Sequence, residues 1–246
     1  MNSVASQMPK RRPGGKVTPL LVPRTTLDTL VYDELRKRIV TLVYRPGSLI
    51  SEVAVAEELG VSRTPVHQAF LQLSHEDLLQ ILPQRGALVA ELSIAKVKQA
   101  QFVRESLEIS AFGEVAKAWN AADPVYQEAE RKILDILRQQ EGTVVSRDYL
   151  AFTQLDVAFH NVILDLAGNA ILLSFIHDVR AHLNRVRYLE LQEAHHEQEA
   201  IDGHWKILDA IRKNDVERTT EELRLHLKML EEFREEIFAR HREIFV

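Results

Sequence analysis

The chain has 246 residues, 46% hydrophobic and 27% charged, enough to bury a substantial core and unlike the composition of a disordered segment. It has no cysteine, which excludes disulfides, thiolate nucleophiles and iron–sulfur clusters; any metal must be held by carboxylate or by some of the ten histidines. The net charge of −5 averages a basic end and an acidic body: residues 1–92 carry 11 Lys and Arg against 9 Asp and Glu, residues 93–246 carry 20 against 27, and such an asymmetry fits different partners at the two ends.

No apolar run reaches the 18 or more residues of a membrane span, and no apolar segment follows the basic N-terminal residues, so neither a membrane partner nor a secretory signal is expected. Residues 1–24 hold five basic residues (Lys10, Arg11, Arg12, Lys16, Arg24), no acid, and no hydrophobic period, and read as a flexible basic tail. From there to residue 92 the pattern is helix, helix, turn, helix, hairpin. Leu27, Leu30, Val31, Leu35, Ile39 and Leu42 form one helical stripe, stopped by Arg45-Pro46-Gly47. Ser51 caps a short helix from Glu52 to Leu59, which Gly60 ends. Ser62 is placed to cap a third helix, with Pro65 in its first turn and Val66, Ala69, Phe70 and Leu73 along its apolar side. Leu79–Leu82 and Ala87–Ala90 then read as two short strands joined by Pro83-Gln84-Arg85-Gly86. This is the order of a winged helix-turn-helix, within residues 25–92.

Beyond Ser93 no strand signal recurs. Helices are expected at roughly 94–119, 124–140, 147–167, 170–192, 198–213 and 216–241, the second opened by Asp123-Pro124 and the third by Ser146. Short turns between them imply an all-α antiparallel bundle over residues 93–246.

The start of the third helix carries DNA-reading chemistry. Ser62, Arg63 and Thr64 offer hydroxyls, a cation and free backbone N–H groups to phosphates and base edges, and Arg63 can pair bidentately with guanine. Gln68 adds an adaptable polar group; Arg85 can enter the minor groove, and Gly86 lets the wing backbone approach the duplex. In the bundle, Asp156 and His160 are spaced i, i+4 and leave one helix face. His204 stands ten residues before Asn214 and His226 eleven after Asp215, so a fold-back at that turn brings them to one height. The set reads either as simple side-chain pairs or as a metal site with only hard and borderline ligands.

Leu59-Gly60-Val61-Ser62-Arg63-Thr64-Pro65-Val66, with the wing at Pro83–Ala87, resembles the N-terminal domain of GntR-family transcriptional regulators, and the helical remainder resembles the FCD ligand-binding domain of the FadR-like branch. The resemblance covers about residues 27–240. It implies a ligand-responsive regulator, a repressor, that binds double-stranded operator DNA as a homodimer in the cytoplasm. It makes Asp156, His160, His204 and His226 the ligands of a divalent metal: zinc, nickel, manganese or iron. It turns Arg104 toward a small organic acid effector, with Asn184 and, less strongly, Arg185 and Arg187 beside it; a surface ion pair with Glu108 is the competing role for Arg104. His195 and His196, in an acidic stretch, are expected to be solvated. The chain departs from the family with His67 where Arg is common, Val53 where a polar or basic residue is common, and Asp77 where Gly usually ends the recognition helix. Two other readings of the metal set are a His/Asp metal-dependent hydrolase, for which the sequence offers no separate general base, and a purely structural metal.

Overall fold

A computed structural model describes residues 27–246, including every side chain in that range except those of Ala181, Ala194 and residues 230–234. The basic tail at 1–24 lies outside the described residues.

The first part runs α1 (Leu27–Val40), β1 (Leu49–Ile50), α2 (Glu52–Leu59), α3 (Arg63–His75), β2 (Leu79–Leu82) and β3 (Gly86–Val89). Val31, Leu35 and Ile39 of α1 meet Val66, Ala69, Phe70 and Leu73 of α3 in one core, closed below by Val55, Leu78, Ala87 and Val89. The Ser51 hydroxyl accepts from Ala54 N, and Gly60, at φ 65, returns its N–H to the carbonyls of Ala56 and Glu57, as the sequence predicts. Ser62 departs from expectation: it holds the N-cap position of α3, but its side chain makes no capping bond. Pro65 is the third residue of the helix and has no N–H to offer the hydroxyl. The Ser62 side chain is therefore left exposed at the helix start. Asp77 takes φ 56 at the end of α3, a left-handed conformation that Asp tolerates better than most residues.

The sheet has one strand more than the sequence signals. β1 pairs antiparallel with β3 (Leu49↔Leu88, Ile50↔Ala87), and β3 with β2 (Leu79↔Val89 to Leu82↔Gly86), in the order β1-β3-β2. Two residues are too few to show a period of two, which is why β1 escapes sequence reading.

The second part is six helices: α4 (Ile94–Ala118), α5 (Pro124–Ser146), α6 (Tyr149–Leu166), α7 (Ala170–Ala194), α8 (Glu197–Arg212) and α9 (Val216–Arg240), ending in a 3-10 turn at Arg242–Ile244. Their shared core includes Phe112, Ile133, Leu137, Phe159, Ile163, Ile207, Leu208 and Leu223. Two boundaries are corrected. The second helix continues past 140 to Ser146, carrying Gly142 within it, and stops where Arg147 turns left-handed at φ 54. Ser146 is consequently not a cap: its hydroxyl bonds back to the carbonyls of Gly142 and Thr143, while Asp148 caps α6 by accepting from Ala151 N. Likewise α7 extends to Ala194, with His195 left-handed at φ 55. One bridge the sequence did not signal pairs Leu92 with Phe245 in parallel sense, and Val246 N donates to Leu92 O at 2.9 Å.

The α8–α9 turn is set by Asn214. Its φ is 55, and its side-chain amide donates to the carbonyls of Ala116 (2.9 Å) and Trp119 (2.8 Å) at the end of α4. Asp215 then caps α9 by accepting from Arg218 N. This fold-back places His204 and His226 opposite each other.

Candidate functional site

Three helices contribute to a buried polar centre. Asp156 and His160 come from α6, His204 from α8 and His226 from α9, and each offers a ligand atom within 4.8 Å of the others. His160 and His204 are fully buried, His226 and Asp156 nearly so. His160 Nε2 lies 3.3 Å from His226 Nε2, and His204 Nε2 lies 3.4 Å from Asp156 Oδ1.

The outer atoms of these rings fix what the inner atoms offer. His204 Nδ1 donates to Gln140 Oε1 of α5 at 3.0 Å, so its Nε2 turns a lone pair toward Asp156 Oδ1. Neither of those facing acceptors has a hydrogen-bond partner. His160 Nδ1 lies 2.7 Å from Glu108 Oε2, which favours the proton on Nδ1 and a lone pair on Nε2. Acceptors converging without a proton between them are unfavourable when dry, and a cation resolves the conflict. The donor set of three imidazoles and one carboxylate, with a polar group behind two of the rings, fits a divalent first-row metal.

A charged layer backs the centre. Glu108 Oε1 accepts from Arg104 Nε at 2.8 Å and from Arg180 Nη2 at 2.6 Å, and Arg180 Nη1 donates to Asn161 Oδ1 at 2.5 Å. Burial alone would raise the Glu108 carboxyl, but Arg104, His160 and Arg180 hold it well below the usual carboxylate range. Burial pushes Asp156 up, yet its carboxyl lies well below the usual value. Burial depresses the imidazoles: His160 falls to about 4, against the opposing pull of Glu108, and His204 and His226 move the same way.

Metal-stripped protein is therefore expected to lose stability as pH falls from 6.5 toward 4, because unfolded imidazoles bind protons in that window and His160 in the folded chain does not. His160 alone accounts for roughly 3 kcal/mol at about 1.4 kcal/mol per pH unit. Urea unfolding at several pH values across that window measures it; a midpoint independent of pH would contradict the arrangement.

The structure brings Asp156, His160, His204 and His226 together as the sequence placed them, but redistributes the basic candidates. Arg104 pairs with Glu108 in the interior, so the pairing partner is the one considered and the surface location is wrong. Asn184 does not join the cluster's contacts; it lines a cavity of about 800 Å³ between α1, α6 and α7, whose wall also includes Arg180 and Asn161. Arg185 is fully buried but faces the junction of the two parts, where its Nη2 donates to Ala90 O at 2.7 Å. Arg187 acts electrostatically on Asp156 and His204, and its buried Nε and Nη2 have no hydrogen-bond partner. His195 is exposed and lies 3.1 Å from the Tyr149 hydroxyl, whereas His196 is half-buried rather than solvated.

Sequence reading missed Gln140, Arg180 and Gly203. A Cβ at Gly203 would stand 2.9 Å from His226 Nδ1, so the glycine makes room for the ring. A glycine inside an amphipathic helical pattern, next to a candidate ligand, is the available signal.

At the other end of the molecule, Ser62, Arg63, Thr64, His67 and Gln68 are all exposed along α3, as is Arg85 in the wing. Arg63 Nη2 donates to Glu52 Oε2 at 3.3 Å, and His67 Nδ1 lies 2.7 Å from Glu52 Oε1. Gly86 has φ 105, and a Cβ there would meet Ile50 O at 2.2 Å. Contact with β1 thus requires glycine independently of any approach to DNA. Among the described residues, no helix is long and apolar enough to cross a membrane.

Residues 27–89 match the bacterial regulatory proteins of the gntR family, and residues 99–229 match the FCD domain. The chain is 31% identical over 215 residues to an HTH-type transcriptional regulator in an unstable DNA locus of Streptomyces ambofaciens, covering 87% of this chain and 88% of that one. It is 29% identical over 212 residues to the HTH-type transcriptional repressor RspR of Escherichia coli K12, covering 86% and 90%. The solved structure of E. coli McbR/YncC shares the fold with a TM-score of 0.74 at 18% identity, over 87% of this chain and 99% of that one. The chain therefore belongs to the gntR family of bacterial regulatory proteins, as a transcriptional regulator with a winged helix-turn-helix and an FCD domain, and not to a family of enzymes.

Proposed function

We propose that this regulator is a cytoplasmic homodimeric repressor that senses a small organic acid through a divalent metal. Residues 25–92 read the operator, residues 93–246 bind effector and form the dimer, and the tail at 1–24 adds phosphate contacts. Asp156, His160, His204 and His226 would hold the metal. The observation that carries this reading is the facing, partnerless pair His204 Nε2 and Asp156 Oδ1, buried among neutral imidazoles. Once bound, the metal supplies a Lewis-acidic position for a carboxylate. This chain's own contribution is Arg187, whose unpaired guanidinium edge beside Asp156 suits the same anion by charge-assisted hydrogen bonds. Arg104 and Arg180, committed to Glu108, set the positive field around it. In the head, Ser62, Arg63, Thr64, His67 and Gln68 face the major groove, and Arg85 with Gly86 places the wing at the minor groove.

The test is calorimetric titration of short-chain mono-, di- and hydroxycarboxylates into metal-loaded protein, paired with gel-shift assays on genomic fragments. His160→Ala is expected to weaken metal binding roughly 100-fold or more, and Arg187→Ala to weaken acid binding while leaving the metal in place. Metal binding that survives His160→Ala unchanged would overturn the sensor. Sequence-selective DNA binding indifferent to Arg63→Ala would overturn the reading of α3.

The dimer interface is placed at Phe102, which is 72% exposed on α4. Phe102→Glu is expected to shift the protein from dimer to monomer in sedimentation, with metal binding retained. A dimer unaffected by the change would place the interface elsewhere.

A further inference from the structure

His67 lies exposed on α3, and the structure gives it a specific hydrogen-bonding sense. Its Nδ1 lies 2.7 Å from Oε1 of Glu52, the first residue of α2, and the other oxygen of that carboxylate accepts from Arg63. The Glu52 carboxyl is lowered, first by the bond from His67 and further by the one from Arg63, against the effect of its own burial. An ionised carboxylate only accepts, so the ring proton belongs on Nδ1. The opposite nitrogen, Nε2, then carries a lone pair, on a side chain 50% exposed at the helix surface. Arginine at this position would only donate and would suit guanine O6 and N7. A neutral imidazole held in this tautomer does the reverse.

We propose that His67 reads an exocyclic amine in the major groove, adenine N6 or cytosine N4, as a hydrogen-bond acceptor, and that Glu52 is the positioning residue that sets this sense. The inference rests on α3 lying in the major groove. Glu52 thereby coordinates two readers with opposite demands: Arg63 donates to its base while His67 accepts. On α1, the other helix packed on α3, Arg36 is engaged with Glu76, and Arg38 with Glu34 and Glu58.

The experiment is selection of operator sequences from random duplex DNA by the full-length protein at pH 8, above the ordinary range of imidazole titration. It is run with wild type, His67→Arg, Glu52→Gln and Glu52→Ala. Wild type is expected to enrich adenine or cytosine at one position of each half-site, roughly 5- to 100-fold over guanine. His67→Arg is expected to convert that position to guanine. Glu52→Gln, which still accepts from Nδ1, retains the wild-type preference, and Glu52→Ala flattens it at that position while the base facing Arg63 stays selected. Guanine chosen by wild type, or one base chosen by wild type and His67→Arg alike, overturns the inference and leaves the DNA-reading head standing. Failure of wild type to select any sequence overturns both. Circular dichroism of each variant separates a misfolded head from a changed preference.

Discussion

Glu108→Ala is expected to destabilise the protein by about 3–5 kcal/mol, the cost of removing one member of a buried ion-pair set and leaving its partners charged and dry. Glu108 is fully buried and holds three groups at once: Arg104, Arg180 and the Nδ1 side of His160. Its loss strands two guanidinium groups in the interior and frees the His160 ring to take the other tautomer. Metal affinity should therefore fall by about 10- to 100-fold as well, the usual cost of deleting the group that orients a ligating imidazole. Urea unfolding of metal-free protein reads the first effect and competition against a chelator reads the second. Glu108→Gln keeps the volume and one acceptor, and should retain part of both. A Glu108→Ala protein within 1 kcal/mol of wild type, with unchanged metal affinity, would show that the guanidinium groups find water or other partners.

Gly86→Ala is expected to cost about 3 kcal/mol or more in the stability of the head, through two effects at one atom. The residue has φ 105, where an L side chain is strained, and its Cβ would stand 2.2 Å from Ile50 O and 3.1 Å from Ser51 Cα. Both neighbours are backbone, so no flexible side chain can yield. The β1–β3 pairing must open, taking with it the strand that leads into Ser51 and α2. Gly60→Ala is the informative control: φ is 65, nothing lies within 4 Å of the added atom, and only the left-handed penalty of about 1 kcal/mol applies. Thermal melts with and without metal distinguish the two parts of the chain. Gly86→Ala should lower operator affinity and the stability of the head while leaving metal binding near wild type. Equal effects from the two glycine substitutions would mean that the wing relaxes more easily than its contacts imply.

Much of this architecture is legible in the residues themselves. Stripes such as Leu35 and Ile39, Phe70 and Leu73, or Phe159 and Ile163 repeat at helical spacing because each buries one face, and Gly60, Asp123-Pro124 and Asn214-Asp215 mark ends by backbone chemistry that few other residues supply. The i, i+4 pair Asp156 and His160 is visible for the same reason. What stays hidden depends on chain segments far apart in sequence. β1 exists because β3 is there to pair with it. Gln140 matters only because α5 lies beside α8, and Glu108 looks like any helix-surface acid until α6 and α7 cover it. The end of α5 is obscured because Arg147 adopts a conformation for which glycine is the usual marker. Asn184 and Arg185 show the limit in reverse: both lie on the helix that carries Arg187, yet rotation around the axis sends one to the α1 cavity and the other to Ala90.

That distribution along α7 makes the helix a lever. Arg180 reaches Glu108 and through it the ring of His160; Arg185, five residues on and about 7.5 Å along the axis, grips the Ala90 carbonyl where the winged part joins the bundle. Packed helices translate and rotate as stiff rods, so the two grips cannot be adjusted independently. A displacement of the middle of α7 would therefore bear on the head at two places at once, the Ala90 carbonyl and the packing of α7 against α1.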